Sequence, residues 1–252
     1  MNTLSRSAAI LAVVALLGAG CDKTATQASQ TGTEPSMGIG KPSQVASGDC
    51  FNLYYPLKTG SSIEYRMKGG SLDIPFKIEV AEHTKDSVKL NYVFSVKGQE
   101  TSVTNELVCE NGNIHGKGYF DFASKLTGID FTYETVSMKG DILPSDLAVG
   151  RSWNFDAETI VHTNDARMKA VIDGKHQKTH AESKVVGEEE VTVPAGTFKA
   201  LKIDQTIAID TGISNVVTTT TASSWYVKDI GLVKSQSGAD KASGMEATKI
   251  AQ

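Results

Sequence analysis

Apolar side chains recur at every second position through most of the chain after Asp49, and Ile74-Phe76-Ile78-Val80 and Val88-Leu90-Tyr92-Phe94-Val96 are the clearest runs. A period of two places alternate side chains on one face of a β-strand. Met168-Ala170-Ile172, Val191-Val193, Ile203 with Ile207-Ile209, and Trp225 to Val227 continue the pattern between turn residues. Gly69-Gly70, Asn111-Gly112 and Asp173-Gly174 supply the positive φ angles of tight hairpins, so the strands are expected to pair antiparallel in an all-β body. Tyr119 to Leu126 reads as a helix or an irregular crossover. The tail from Ser237 is small and polar and is predicted to fray.

The pattern also echoes itself. Leu57-Lys58-Thr59-Gly60-Ser61-Ser62-Ile63-Glu64-Tyr65 and Leu147-Ala148-Val149-Gly150-Arg151-Ser152-Trp153-Asn154-Phe155 share L-x-x-G-x-S-apolar-x-aromatic. Each copy reads as a glycine turn entering a strand whose alternate residues share a face. Two similar halves, 49–140 and 141–236, would follow, set against a coincidental likeness between two β-hairpin entries.

The first twenty residues break the period. Arg6 precedes an apolar run from Ala8 to Leu17, and Gly18-Ala19-Gly20 leads to Cys21, the layout of an export signal rather than a membrane span. The segment around Cys21 resembles a lipobox. That resemblance implies diacylglyceryl transfer to the Cys21 thiol, cleavage before it and acylation of the new amino group, with palmitate-class chains as the anchor. Gly18 fits the lipobox less well, and cleavage by an ordinary signal peptidase is the alternative. By resemblance to enteric lipoproteins, Asp22 favours retention at the inner membrane. Residues 21–48 are mostly Thr, Ser, Gln, Gly, Pro and Ala and include no aromatic residue, so they cannot bury enough surface to offset the entropy of ordering. They read as a flexible tether of about 28 residues with a coil span of roughly 30 Å. The expected organisation is signal peptide 1–20, tether 21–48, β domain 49–236 and tail 237–252.

Charge and cysteine content narrow the picture. Twenty-five Lys and Arg against 29 Asp and Glu give a formal net charge of −4, and no stretch interleaves basic and aromatic residues, so nucleic acid is not an expected partner. Apart from Cys21 the cysteines are Cys50 and Cys109, and the compartment implied by the export signal permits them to oxidise. A disulfide between them would close a loop of roughly 60 residues and stabilise by about 4 kcal/mol on the chain-entropy account. The other reading, a reactive thiol, lacks a CxxC partner or an adjacent basic residue.

Glu190-Val191-Thr192-Val193-Pro194-Ala195-Gly196-Thr197-Phe198-Lys199 is the most distinctive stretch of the body. Pro194 fixes φ at one turn position and Gly196 relieves the exit, so a hairpin accounts for it locally. Together with Val149-Gly150-Arg151-Ser152-Trp153 and Trp225-Tyr226-Val227-Lys228-Asp229-Ile230-Gly231-Leu232-Val233-Lys234, it resembles a family of exported bacterial domains of unknown function that carries V-x-V-P-A-G-T-F followed by W-Y and G-L-V-K. The likeness runs from about Tyr54 to Lys234. It implies a curved antiparallel sheet or open β-barrel and carries over no catalytic residue. Asp229-Ile230 departs from the small or apolar pair usual there and is expected to alter only the turn.

Candidate chemistry is sparse. His176 and His180 lie four apart, which suits a shared metal on a helix but separates them by roughly 13 Å on a strand, and the flanking residues read as strand. Glu188-Glu189-Glu190 alternate sides in a strand and fit a charged edge better than a cation site. H-E-x-x-H, G-x-S-x-G and a Walker loop are absent from the sequence, so no catalytic residue, metal or cofactor is expected. Trp153, Trp225, Tyr226, Phe94, Tyr119, Phe120 and Phe122 either fill a core or line a groove for a hydrophobic ligand.

The reading that results is a non-enzymatic lipoprotein of the bacterial cell envelope, tethered to a membrane by lipid at Cys21 with its body outside the cytoplasm, on the periplasmic side in a Gram-negative cell. It would serve as a binding or scaffold module for an envelope protein. A carrier or chaperone for a lipid or other hydrophobic small molecule is the alternative, and a hydrolase the less favoured one.

Overall fold

A computed structural model of the chain describes residues 50–55, 58–69, 72–96, 99–116, 131–213, 217–238 and 243–251. The alternating runs form twelve strands: β1 (Ser62–Gly69), β2 (Leu72–His83), β3 (Ser87–Val96), β4 (Gln99–Glu110), β5 (Asn113–Gly116), β6 (Phe131–Lys139), β7 (Ser152–Thr163), β8 (Lys175–Val193), β9 (Gly196–Asp210), β10 (Val217–Val227), β11 (Gly231–Ser237) and β12 (Ser243–Ala251). Every pairing is antiparallel, and the order β5-β4-β3-β2-β1-β12-β11-β10-β9-β8-β7-β6 is an up-and-down meander in which the last strand returns to the first. The sheet is therefore nearly closed into a barrel. Its remaining seam lies between β5 and β6, where Ile114 and Leu143 form an isolated bridge and the Ile142 N–H donates to the Ile114 carbonyl at 2.6 Å.

Alternation in sequence becomes inside and outside in space. Tyr65, Met67, Phe76, Leu90, Phe94, Trp153, Val185, Ile203, Val233 and Ala247 are buried in one large cluster, while Phe155, Ala157, Ala181, Ile207 and Ile209 make a smaller one. Outward positions carry cross-strand ion pairs such as Arg66–Asp73, Lys89–Glu82 and Lys249–Glu64. A barrel that crosses a membrane carries an apolar band on its outside, and these strands carry the reverse. Among the described residues no helix is long and apolar enough to cross a membrane.

The two copies of the echoed pattern make the same turn. Gly60 and Gly150 have φ of 84° and 94°. Gly60 N–H donates to Val80 O at 2.9 Å, and Gly150 N–H to Val185 O at 2.8 Å. Val80 and Val185 donate in return to Ser61 O and Arg151 O, both at 2.9 Å, and a bulge follows each valine in its strand. β1 and β7, which these turns open, sit half the ring apart.

Two sequence expectations need correction. Residues 243–251 are not a fraying tail but β12, paired to β1 from Ser62↔Ala251 to Lys68↔Gly244. Their small side chains are what the seam with β11 requires: a Cβ on Gly244 would lie 2.1 Å from the Ser235 carbonyl oxygen. Met168-Ala170-Ile172 is not a strand. Lys169–Ile172 forms a single helical turn, α1, that leads through Gly174 (φ 70°) into β8. Residues 119–126, Tyr119, Phe120 and Phe122 among them, lie outside the described residues, as do Cys21 and the rest of the stretch before Cys50.

Cys50 and Cys109 are joined, with Cα atoms 5.0 Å apart, and begin a short strap over residues 50–55 that lies across one end of the barrel. Asn52 fixes the strap. Its Nδ2 donates to Gly112 O and Pro144 O, each at 3.1 Å, and its Oδ1 accepts from Tyr54 N–H at 2.9 Å. The Asp229 N–H, at the β10–β11 turn, donates to Leu53 O at 2.7 Å.

Replacing both Cys50 and Cys109 by serine should lower stability by about 2–4 kcal/mol, read as a lower urea midpoint with the cooperative transition retained. Gly244→Ala should cost about 1–3 kcal/mol or more, because backbone must shift at the β11–β12 seam to admit the methyl group. A midpoint unchanged by the alanine would contradict the closure described above.

Candidate functional site

At the strap end, the inward faces of β1 to β4 do not meet, and a cavity of about 190 Å³ remains between them. Ile63, Ile78, Val80, Leu90 and Leu107 form its apolar wall. Ile114, Ile142 and Leu143 close it at the barrel seam, and Ile230 to Leu232 border it at the β10–β11 turn. Lys58, Ser61, Ser62 and Asp229 bring the polar and charged groups of the lining. This places an apolar pocket with few polar groups beside the strap, which contributes Tyr55 to its wall.

Four tyrosines give the cavity its character: Tyr55 from the strap, Tyr65 from β1, Tyr92 from β3 and Tyr226 from β10. Tyr65 Oη donates to Leu232 O at 2.7 Å. Tyr92 hydrogen-bonds both Tyr55 and Asn105. Tyr65 also stacks on Phe76, with centroids 5.1 Å apart, and Phe76 on Phe94 at 5.5 Å, so an aromatic ladder backs the cavity across β1, β2 and β3. Burial pushes the Tyr55 phenol up to about 12 against a partly offsetting hydrogen bond from Tyr92. It raises Tyr65, Tyr92 and Tyr226 still further, helped by the neighbouring phenols. All four are uncharged at neutral pH, so they present hydroxyl groups to the cavity without a charge to desolvate.

The aromatic residues singled out from sequence separate. Tyr226 lines the cavity, whereas Phe94 is core. Trp153 is buried, and its Nε1 makes no hydrogen bond among the described residues. Trp225 lies on the outer side of a bulge between Trp225 and Tyr226, donates from Nε1 to Glu189 Oε1 at 2.6 Å and sits under the Lys202 and Lys234 ammonium groups. Tyr55, Tyr65 and Tyr92 were not singled out as site residues. The period of two in β1 and β3 was the available signal for the latter pair, while nothing local marks Tyr55, whose place depends on Asn52 and the disulfide.

His176 and His180 stand on the outer face of β8 and face carboxylates of β7 rather than each other: His176 Nδ1 is 2.8 Å from Glu158 Oε1 and His180 Nδ1 is 2.8 Å from Asp156 Oδ1. Glu188 pairs with Lys199 at 2.8 Å, and Glu189 holds Trp225. Among the described residues no group of three or more His, Cys, Asp or Glu is placed to hold a metal ion. The distinctive hairpin at the tip of β8 and β9 is structural. Ala195 N–H donates to Ala247 O at 3.0 Å, which brings the hairpin against β12 beyond the last β11 pairing at Glu246. Asp229 does more than alter a turn. It adopts φ 62°, borders the cavity and holds Leu53 of the strap.

The chain belongs to the DUF3108-like family, which matches residues 73–247. No curated protein matches. Among solved structures, a Bacteroides fragilis protein described as exported and of YmcC-like fold superimposes with a TM-score of 0.54 at 18% identity, covering 80% of this chain and 100% of its own. A Parabacteroides distasonis protein described as a lipoprotein does so with a TM-score of 0.51 at 16% identity, covering 79% and 99%. At these identities the likeness is one of fold.

The buried phenols predict alkaline lability. Unfolded tyrosines lose their protons near pH 10 while those in the cavity wall keep them, so stability should be full below pH 10 and fall as pH rises towards about 12. Absorbance at 295 nm followed alongside far-UV circular dichroism should show Tyr55, Tyr65, Tyr92 and Tyr226 ionising only as the fold is lost. Their ionisation with the fold intact would show that the cavity wall is open to water.

Proposed function

We propose that this member of the DUF3108-like family is a non-enzymatic, lipid-anchored binding module of the bacterial cell envelope, and that its cavity receives the apolar end of an amphipathic small molecule. The tyrosine-lined cavity at the strap end carries the reading. Its volume of about 190 Å³ exceeds the roughly 150 Å³ of an engineered apolar cavity that takes up benzene. Space of that order suits one ring or a short alkyl segment, with the polar end of the ligand left near Lys58, Ser61, Ser62 and Asp229. A whole lipid would need more room.

The anchor is the Cys21 modification implied by the lipobox, with Met1 to Gly20 removed and residues 21–48 as the tether. The charged outer faces of the strands support a body that stands in water, on the periplasmic side in a Gram-negative cell. Binding rather than catalysis is favoured because the cavity wall offers phenols held neutral and aliphatic side chains. Among the described residues of the lining, the charged side chains are Lys58 and Asp229, and the Ser61 hydroxyl beside them donates to the Lys58 carbonyl oxygen at 2.6 Å. A cavity inside the barrel favours small-molecule binding over a purely scaffolding role, for which the outer surface alone would serve.

The mature chain should bind 1-octanol, and Ile78→Trp, which fills the cavity from β2, should weaken binding at least tenfold in a calorimetric titration. A parallel urea melt separates filling from unfolding. Native mass spectrometry of the protein purified from envelopes, with solvent extraction, should release a small amphipathic molecule from the unsubstituted chain and less from Ile78→Trp. Equal octanol affinity in the two proteins would remove the cavity from the account.

A further inference from the structure

We infer that the strap end of the barrel is a bilayer-contact surface, in which Phe51 and Leu53 enter the lipid–water interface beside the cavity. The inference rests on the proposed anchor at Cys21 and adds where the body sits once anchored. Its first ground is how these two side chains are displayed. Asn52 is buried and committed to Gly112, Pro144 and Tyr54, and the chain turns there, with Tyr55 N–H donating to Asn52 O at 3.1 Å, while the residues on either side of Asn52 are left exposed. Phe51 is 54% exposed and Leu53 is 37% exposed. Isolated exposed apolar residues are common on protein surfaces. Here the pair is held in place by a disulfide on one side, by the Asn52 hydrogen bonds between them, and by the Asp229 N–H on Leu53 O. Half-buried Tyr54 follows in the strap, and Lys58 stands close by in the cavity lining. An aromatic residue and a lysine next to apolar side chains suit the boundary between acyl chains and headgroups.

The second ground is where the remaining chain leaves. The sequence towards Cys21 departs at Cys50, the residue before Phe51, and about 28 residues separate the anchor from the strap. A tether of that length has a coil span of roughly 30 Å and turns a weak surface affinity into an intramolecular encounter at high effective concentration. The opposite end of β10 supplies the contrast. Val217 is 56% exposed there, about 30 Å along the strand from the β10–β11 turn on an extended rise.

The test uses the full lipidated chain in vesicles of phosphatidylethanolamine and phosphatidylglycerol, with brominated acyl chains in half of the preparations. Phe51→Trp, Leu53→Trp and Val217→Trp are compared with the unsubstituted protein, whose buried Trp153 and Trp225 provide the background. Emission added by Phe51→Trp and Leu53→Trp should shift to the blue and lose about half its intensity to the brominated lipid, while that added by Val217→Trp should not change. Protein that floats with the vesicles but shows no quenching at either strap position overturns the docking and leaves the anchor standing. Protein that fails to float overturns the anchor and the docking with it. Quenching at Val217→Trp equal to that at the strap also overturns the orientation.

Discussion

Pairing between the first strand and the last is the constraint on which the rest of this structure depends. Without it the strands would form two separate sheets, β1 to β5 and β6 to β12, with four edges open to pairing with other chains. With it they form one sheet whose remaining seam lies between β5 and β6. Here β1 accepts β12 along nearly its whole length, so the core cluster extends without a break from Phe94 through Tyr65 to Ala247 and Val233. The cost is a loop closure spanning most of the chain, which grows only slowly with length and is met once. The consequence is kinetic. The strands consecutive in sequence can pair early, whereas joining β1 to β12 waits for the C-terminal strand and is the slow, distant step.

A ring of this size is too wide to be filled by side chains everywhere, and the way each end is treated decides where space remains. Towards the far end the smaller cluster around Phe155 and Ile207 fills the interior, with the Gln205–Ser183 hydrogen bond in the adjoining layer. At the strap end β11 and β12 part beyond Glu246, and the tip of the β8–β9 hairpin satisfies the Ala247 carbonyl that β11 leaves unpaired. The strap covers the same end from the other side. Between them lies the cavity, walled by phenols because tyrosine fills volume like phenylalanine yet satisfies backbone groups such as Leu232 O.

Much of this was legible in the sequence, and the parts that were not have a common cause. β2 and β3 follow from strict alternation, the Asn111-Gly112 turn from its positive φ pair (52° and 81°), and the two echoed turns from glycines that both prove to be in the left-handed region. β12 was missed because its small and polar residues carry little hydrophobic signal, and at Gly244 close approach to the Ser235 carbonyl demands glycine. The turn of helix at Lys169–Ile172 was missed because three apolar residues spaced by two fit either period over so short a run. The cavity could not be read because it depends on which inward side chains fail to meet across the ring. Tyr65 and Tyr92 belong to strands that the sequence identifies, but their convergence with Tyr55 is set by a disulfide and an asparagine far from both in sequence.

That dependence gives the strap a significance beyond stability. Cys50, Asn52, Leu53 and Tyr55 respectively carry the disulfide, the link to the β4–β5 turn, the hydrogen bond from Asp229 and part of the cavity wall. The segment that leads to the proposed anchor is thus also a wall of the proposed binding site. The frame rests on strand pairings in which the strap takes no part, so the cavity wall at Tyr55 depends instead on the disulfide, on Asn52 and on the Asp229 N–H that hold the strap in place.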